Sequence, residues 1–196
     1  GEYQWVFTAP GFSDESGYAV DFDDNGNLWA TSYFYFTDLP WSVGDTLLHG
    51  YGQTDCALMK IDQSGKLIFA KAFGGLADDL PRVLKYHNGY LYIGGYHNGN
   101  GNFLNKILPG LGNRDAFVVR ANMNGEASWA TGGISYGDDE LIGLDTDPAG
   151  NVYVAGYFSE VMMAENIVIW SHGLLDAVSL KLNGNTGHYE QAVTGG

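Results

Sequence analysis

The chain has 196 residues, with 23 acidic against 9 basic side chains and a formal net charge of −14. Coulomb repulsion from a polyphosphate or an anionic bilayer opposes binding, and the basic residues stand singly, so nucleic acid and membrane surfaces are excluded as partners. The one cysteine, Cys56, excludes an intrachain disulfide and a cysteine-clustered zinc site, and no apolar run approaches the ~20 residues that span a bilayer.

A content of 29 Gly, 13 Tyr, 10 Phe and 5 Trp points to short strands joined by tight turns. In chain order, an aromatic strand around Trp5 is followed by the acidic pair Asp14-Glu15 and then by a hairpin signal, Asp21 to Asn27, in which Asn25-Gly26 supplies positive φ. Leu28 to Tyr33 reads as the returning strand, rich in aromatic and β-branched residues. A connection of about twenty residues leads to a second hairpin, which opens on Asp55, runs through Ala57 to Ile61, turns at Gln63-Ser64-Gly65 and ends on an aromatic strand at Phe69.

The same series then repeats twice, with a period of about 60 residues. Phe69 and Trp129, like Trp5, stand nine residues before an acidic pair, here Asp78-Asp79 and Asp138-Asp139. Leu91 to Tyr96 and Val152 to Tyr157 match Leu28 to Tyr33, and Asp115 and Asp176 match Asp55, each with a basic residue five positions on. Four strands per unit result, and a lone four-stranded sheet cannot bury both of its faces, so the units must stack. The expected fold is all-β: propeller blades that are each a four-stranded antiparallel meander. Residues 1–12 supply the outer strand of a preceding blade, and 13–76, 77–136 and 137–196 supply three full blades. A β-sandwich is the alternative, but it needs no such period.

Thirteen strands do not close a ring, because propellers use about four to eight blades. The expectation is therefore a part of a larger propeller, completed by the remaining blades of the same chain or by a second copy. The sequence begins without Met or a signal peptide and reads as a processed or excised piece.

Phe69, Gly74-Gly75, Asp78-Asp79, Gly150-Asn151-Val152-Tyr153, Gly156-Tyr157 and Gly112-Asn113-Arg114-Asp115 with Arg120 carry a resemblance to the bacterial seven-bladed β-propeller repeat family. It covers nearly the whole chain, with two departures: the second unit lacks the Gly-Asn, and the third has Gly132-Gly133 two residues early. The resemblance implies an extracellular or cell-surface module of a larger protein, without catalysis, acting in scaffolding, adhesion or recognition.

In a meander of this kind the acidic pairs and the long connections share one end of the sheets. Trp41, His49, Tyr51, Asn102, Phe103, Trp170 and His172 fall there and are the candidate ligand-binding residues, suited to stacking on sugar rings or to a protein surface. A carbohydrate-binding lectin or carbohydrate-active enzyme is the alternative function. No cofactor is expected apart from calcium, for which Asp21, Asp23 and Asn25 mimic the start of an EF-hand loop, although Ser32 stands where that loop ends on Glu. Asp55, Asp115, Asp176, Asp14, Asp78, Asp79, Asp138 and Asp139 are expected to serve the repeat itself by capping turns. The five histidines show no metal-ligand spacing, and no Gly-x-Ser-x-Gly frame is present.

Overall fold

The computed structural model describes residues 2, 4–11, 13–35 and 39–195, and every helical or strand element among them is a strand. The first unit contributes β1 (Glu15–Phe22), β2 (Leu28–Tyr35), the short β3 (Trp41–Val43) and β4 (Thr46–Leu48), β5 (Thr54–Ile61) and β6 (Leu67–Gly75). The second contributes β7 (Asp79–His87), β8 (Tyr90–His97), β9 (Gly101–Phe103), β10 (Lys106–Leu108), β11 (Asp115–Asn122), β12 (Ala127–Gly132) and its continuation β13 (Ile134–Ser135). The third consists of β14 (Glu140–Thr146), β15 (Val152–Phe158), β16 (Val161–Ala164), β17 (Ile167–Trp170), β18 (Asp176–Leu182) and β19 (Tyr189–Gly195). The long strands form three antiparallel meanders, β1-β2-β5-β6, β7-β8-β11-β12 and β14-β15-β18-β19.

Internal symmetry extends to the irregularities. Each first strand carries one extra residue, Tyr18, Arg82 or Ile142, and each last strand another, Ile68, Ser128 or Glu190. Bulges at matched positions give the three sheets the same added twist. The turn between the third and fourth strands opens each time on an Asx side chain that takes two backbone N–H groups: Asp62 from Ser64 and Lys66, Asn122 from Asn124 and Glu126, Asn183 from Asn185 and Thr186.

The connections expected as loops are hairpins. Leu104 and Asn105 turn the second one with φ of 51° and 77°, and Gly44 and Glu165 supply the positive φ in the other two. These turns lack the Asn-Gly pair that would have marked them in the sequence. Each hairpin reaches back to the preceding unit: β9 pairs with β6 through Gly74↔Asn102 and Gly75↔Gly101, and β16 pairs with β13. The first hairpin finds its counterpart in the N-terminal segment, where Trp41 Nε1 donates to Ala9 O at 2.9 Å.

The outer strand expected over 1–12 is not formed; the described residues before Glu15 make no ladder. They nonetheless lie where such a strand would. Added Cβ atoms at Gly65, Gly125 and Gly187 would stand 2.8, 3.1 and 2.7 Å from the rings of Trp5, Phe69 and Trp129 respectively. Each aromatic ring thus sits against the turn of the following unit, where only glycine leaves room.

The core lies between sheets. Trp29, Cys56, Leu58 and Phe73 of the first pack against Leu91, Ile93, Phe117 and Val119 of the second. Tyr92, Val118 and Trp129 of the second then pack against Val152, Val154, Val178 and Leu180 of the third. Burial pushes the Cys56 thiol up, so it stays a neutral apolar group there. First strands approach one another most closely, as β1 against β7 and β7 against β14, while the short hairpins fill the space between outer strands.

Two sheet faces have no partner sheet. Trp29, Tyr92 and Tyr153 occupy one register position, 0%, 2% and 44% exposed, because nothing packs on the third sheet. This open face is also more polar: Ser179 replaces Leu58 and Val118, and Gln191 replaces Phe69 and Trp129. At the other end of the stack Val20 and Phe22 are 62% and 58% exposed.

Candidate functional site

Asp55, Asp115 and Asp176 occupy equivalent positions, each at or one residue after the start of the third long strand, and each does the same local work. Tyr51 N and Gly52 N donate to Asp55 Oδ2 at 2.8 and 3.1 Å, Leu111 N to Asp115 Oδ2 at 2.9 Å, and His172 N to Asp176 Oδ2. A carboxylate that accepts from backbone N–H groups three or four residues before it closes the hairpin onto the sheet. Ser135 N adds a second bond to Asp115. Asp115→Ala leaves one buried and one part-buried N–H group without their acceptor and is expected to cost about 2 kcal/mol in denaturant unfolding, with an unchanged m-value. An unchanged midpoint would remove the carboxylate from this role.

The acidic pairs divide their labour. The first member uses its carbonyl: Asp14 O, Asp78 O and Asp138 O accept from Tyr35 N, Asn98 N and Ser159 N. Its side chain stays near the surface, where Asp78 takes the Thr54 hydroxyl at 2.7 Å. The second member is buried in two of the three units. Asp79 and Asp139 lie wholly inside, Asp79 opposite Asp55 over the bare Cα of Gly74 and Asp139 within electrostatic reach of Asp115. Burial, reinforced by the facing carboxylate, pushes Asp79 up to about 8 and Asp139 to about 7, with the N–H of Gly75 pulling Asp79 the other way. Burial alone raises Asp55 to about 6, with Gly52 N and Tyr51 N holding it lower than it would otherwise be.

The turn that mimics an EF-hand is internally satisfied. Asp23 is buried, and its oxygens accept from Asn25 N, Asn27 N, Asn27 Nδ2 and Trp29 Nε1, with Lys60 Nζ at 3.3 Å. Burial pulls its pKa upward, but those bonds outweigh it and hold the carboxylate below its usual range. Asp21 caps Phe22 N and reaches Tyr86 N of the next unit, and Asn25 O accepts from Gln63. Among the described residues no three His, Cys, Asp or Glu side chains converge, at this turn or elsewhere.

Of the seven candidate ligand residues, His49, Tyr51 and Asn102 come together. They line an open groove of about 340 Å³ with Lys71, Leu104 and Asn105, between the first two hairpins. Trp41 and Phe103 are corrected to core residues: Trp41 stacks on Phe34 at 5.2 Å, and Phe103 is fully buried against Phe73 and Phe117. Both sit on the inward side of their hairpin strands, so their rings fill the wedge between sheets. Trp170 is 67% exposed and His172 is exposed too, both on the third hairpin and outside the groove.

Two features at this end escaped the sequence reading. Leu47, Ile107 and Val168 occupy one position of the three hairpins and are all more than half exposed, as are Leu76, which shares a depression with Ile107, and Tyr136 and Leu174, which share another. Arg82, Arg114, Tyr157 and Glu140 form a second cluster, in which the buried Glu140 accepts from Arg82 and Tyr157 while Arg82 and Arg114 lie over the Tyr96 ring. The bulge places Arg82 in it. Sequence spacing alone does not reveal a bulge, so the arginine gave no signal.

No protein-family model matches the chain, and no curated protein matches it.

Proposed function

We propose that the chain is part of an extracellular β-propeller and acts through its hairpin end as a non-enzymatic recognition or adhesion surface. The stack supports the propeller reading: matched bulges, first strands drawn together and hairpins wedged between outer strands are what radial stacking needs. The two open faces are then covered by further blades, from the rest of a longer chain or from a second copy. The exposure of Leu47, Ile107 and Val168 at one position of all three hairpins carries the recognition reading, because large apolar groups left in water at a loop end mark protein contacts.

The groove favours a second reading, a lectin for neutral glycans. Tyr51 offers a ring for stacking, and Asn102, Asn105 and His49 offer hydrogen bonds to hydroxyls. Glycan and extracellular-protein arrays, followed by product analysis, separate the readings. Recognition predicts protein capture without turnover. The lectin reading predicts glycan binding that Tyr51→Ala weakens at least about tenfold, the value of one well-placed aromatic contact. Hydrolysis of any glycan overturns the non-enzymatic assignment.

A further inference from the structure

The hairpin ends of both junctions hold buried polar atoms without hydrogen-bond partners: Asp55 Oδ1, Asp79 Oδ1, Asn98 Oδ1 and His97 Nε2, the His97 ring against Phe103 and Phe117, then both oxygens of Asp139. Every one of them is an acceptor. His97 Nδ1 faces Gly99 O at 2.8 Å, and a carbonyl only accepts, so the ring proton sits on Nδ1 and the neutral ring turns a lone pair outward from Nε2. Burial holds His97 below its ordinary pKa, which keeps the ring neutral. Once the carboxyls are ionised, this buried polar set contains acceptors and no donors and is unbalanced, since each of these lone pairs has lost water and gained nothing.

The arrangement recurs where the chemistry of the neighbours differs. Asp79 faces Asp55 at the first junction, and Asp139 faces Asp115 at the second. Hydrogen bonding alone would be served by one acid facing one amide, without two like charges in a low-dielectric space. A hard divalent cation resolves both faults at once: it takes oxygen lone pairs and cancels the paired negative charge.

We propose that each junction between successive sheets binds one oxygen-seeking divalent cation of calcium's kind, held by Asp55 and Asp79 at the first and by Asp115 and Asp139 at the second. Two carboxylates are too few to fill the shell, so backbone carbonyls and water supply the rest. The site is built only when two sheets meet, because each contributes one carboxylate. Asp176 and Glu15, at the two ends of the stack, are its unpaired halves.

Isothermal titration of the intact chain with calcium chloride at pH 8, after chelator treatment, tests the proposal. Binding of one ion per junction is expected, with a dissociation constant of about 1 mM or tighter and a rise in Tm of about 5 °C at saturation. Asp79→Asn and Asp139→Asn keep the side-chain volume, and each is expected to abolish one ion while leaving the other. Should one variant fail to fold, the other decides alone. Absence of heat and of any Tm shift at ~10 mM calcium overturns the proposal and leaves the acceptors to protons and buried water. Undiminished binding in both variants overturns it too, and places the ion elsewhere. Neither result bears on the recognition surface, whose tests use arrays and not metal.

Discussion

A Gly156→Ala chain is expected to lose on the order of 4 kcal/mol of stability, while Gly17→Ala is expected to fold as stably as the parent. Both glycines lie in the first two strands of a sheet, and neither needs positive φ. Space separates them. A Cβ at Gly156 would stand 1.9 Å from Glu140 O and 3.0 Å from Leu141 Cα, so the backbone of β14 itself would have to move, and with it the buried Glu140 carboxylate. A Cβ at Gly17 meets nothing within 4 Å. The contrast follows from the bulge: Gly156 pairs with Leu141 just ahead of it, and in the first unit the equivalent pair is Ser32 with Gly17, so the glycine has changed strands. Paired urea denaturations measure both. Equal losses would mean that chain entropy and not the close approach governs these positions.

Stability measured with chelator present is expected to be greatest near pH 4 and to fall from there toward pH 8. Asp79, Asp139 and Asp55 have folded pKa values of about 8, 7 and 6 against an ordinary 3.8, raised first by burial. Between these limits the folded chain keeps protons that the unfolded chain has released, so raising the pH draws stability away until each folded pKa is passed. With one pKa unit worth about 1.4 kcal/mol and allowance for relaxation of buried sites, the three groups together account for a few kcal/mol. Below about pH 4 the sign reverses. There Asp23, whose hydrogen bonds hold it low, begins to protonate and releases its turn. Asp79→Asn is expected to flatten the limb between pH 6 and 8 and to leave the acid limb unchanged. A stability that rises from pH 5 to pH 8 would show that these carboxyls are solvated and not buried.

The long strands were legible because they leave a periodic mark. Asn25-Gly26 and Gly150 announce turns, and the Asp that opens each third strand stands in the sequence with its basic partner five residues on. The later role of that partner was not legible. Lys60 lies 4.8 Å over Trp29, Arg120 lies 3.4 Å over Tyr90, and Lys181 pairs with Glu190 at 2.7 Å, so one recurring charge serves two local purposes, ring contact and ion pair. The short hairpins went unseen because three-residue strands carry too little alternation, and Leu104 and Glu165 are poor advertisements for positive φ. Trp41 and Phe103 looked like surface aromatics for the same reason. Once their segments are strands, every second residue points inward, and both lie on that side.

The backward reach of the hairpins places the seams of the molecule out of step with the seams of its repeat. Gene duplication of a 60-residue unit copies a hairpin whose hydrogen-bonding partner belongs to the copy before it, as β9 belongs to β6. A single copy in isolation would therefore expose an unsatisfied strand edge at each end, the template on which a like copy adds. Expansion of such an array is self-templating: each new copy arrives already carrying the complement of its predecessor's loose end. Cuts made at the repeat boundaries should accordingly yield fragments that aggregate, and a cut shifted past the hairpin would sever β8 from β11 within one sheet.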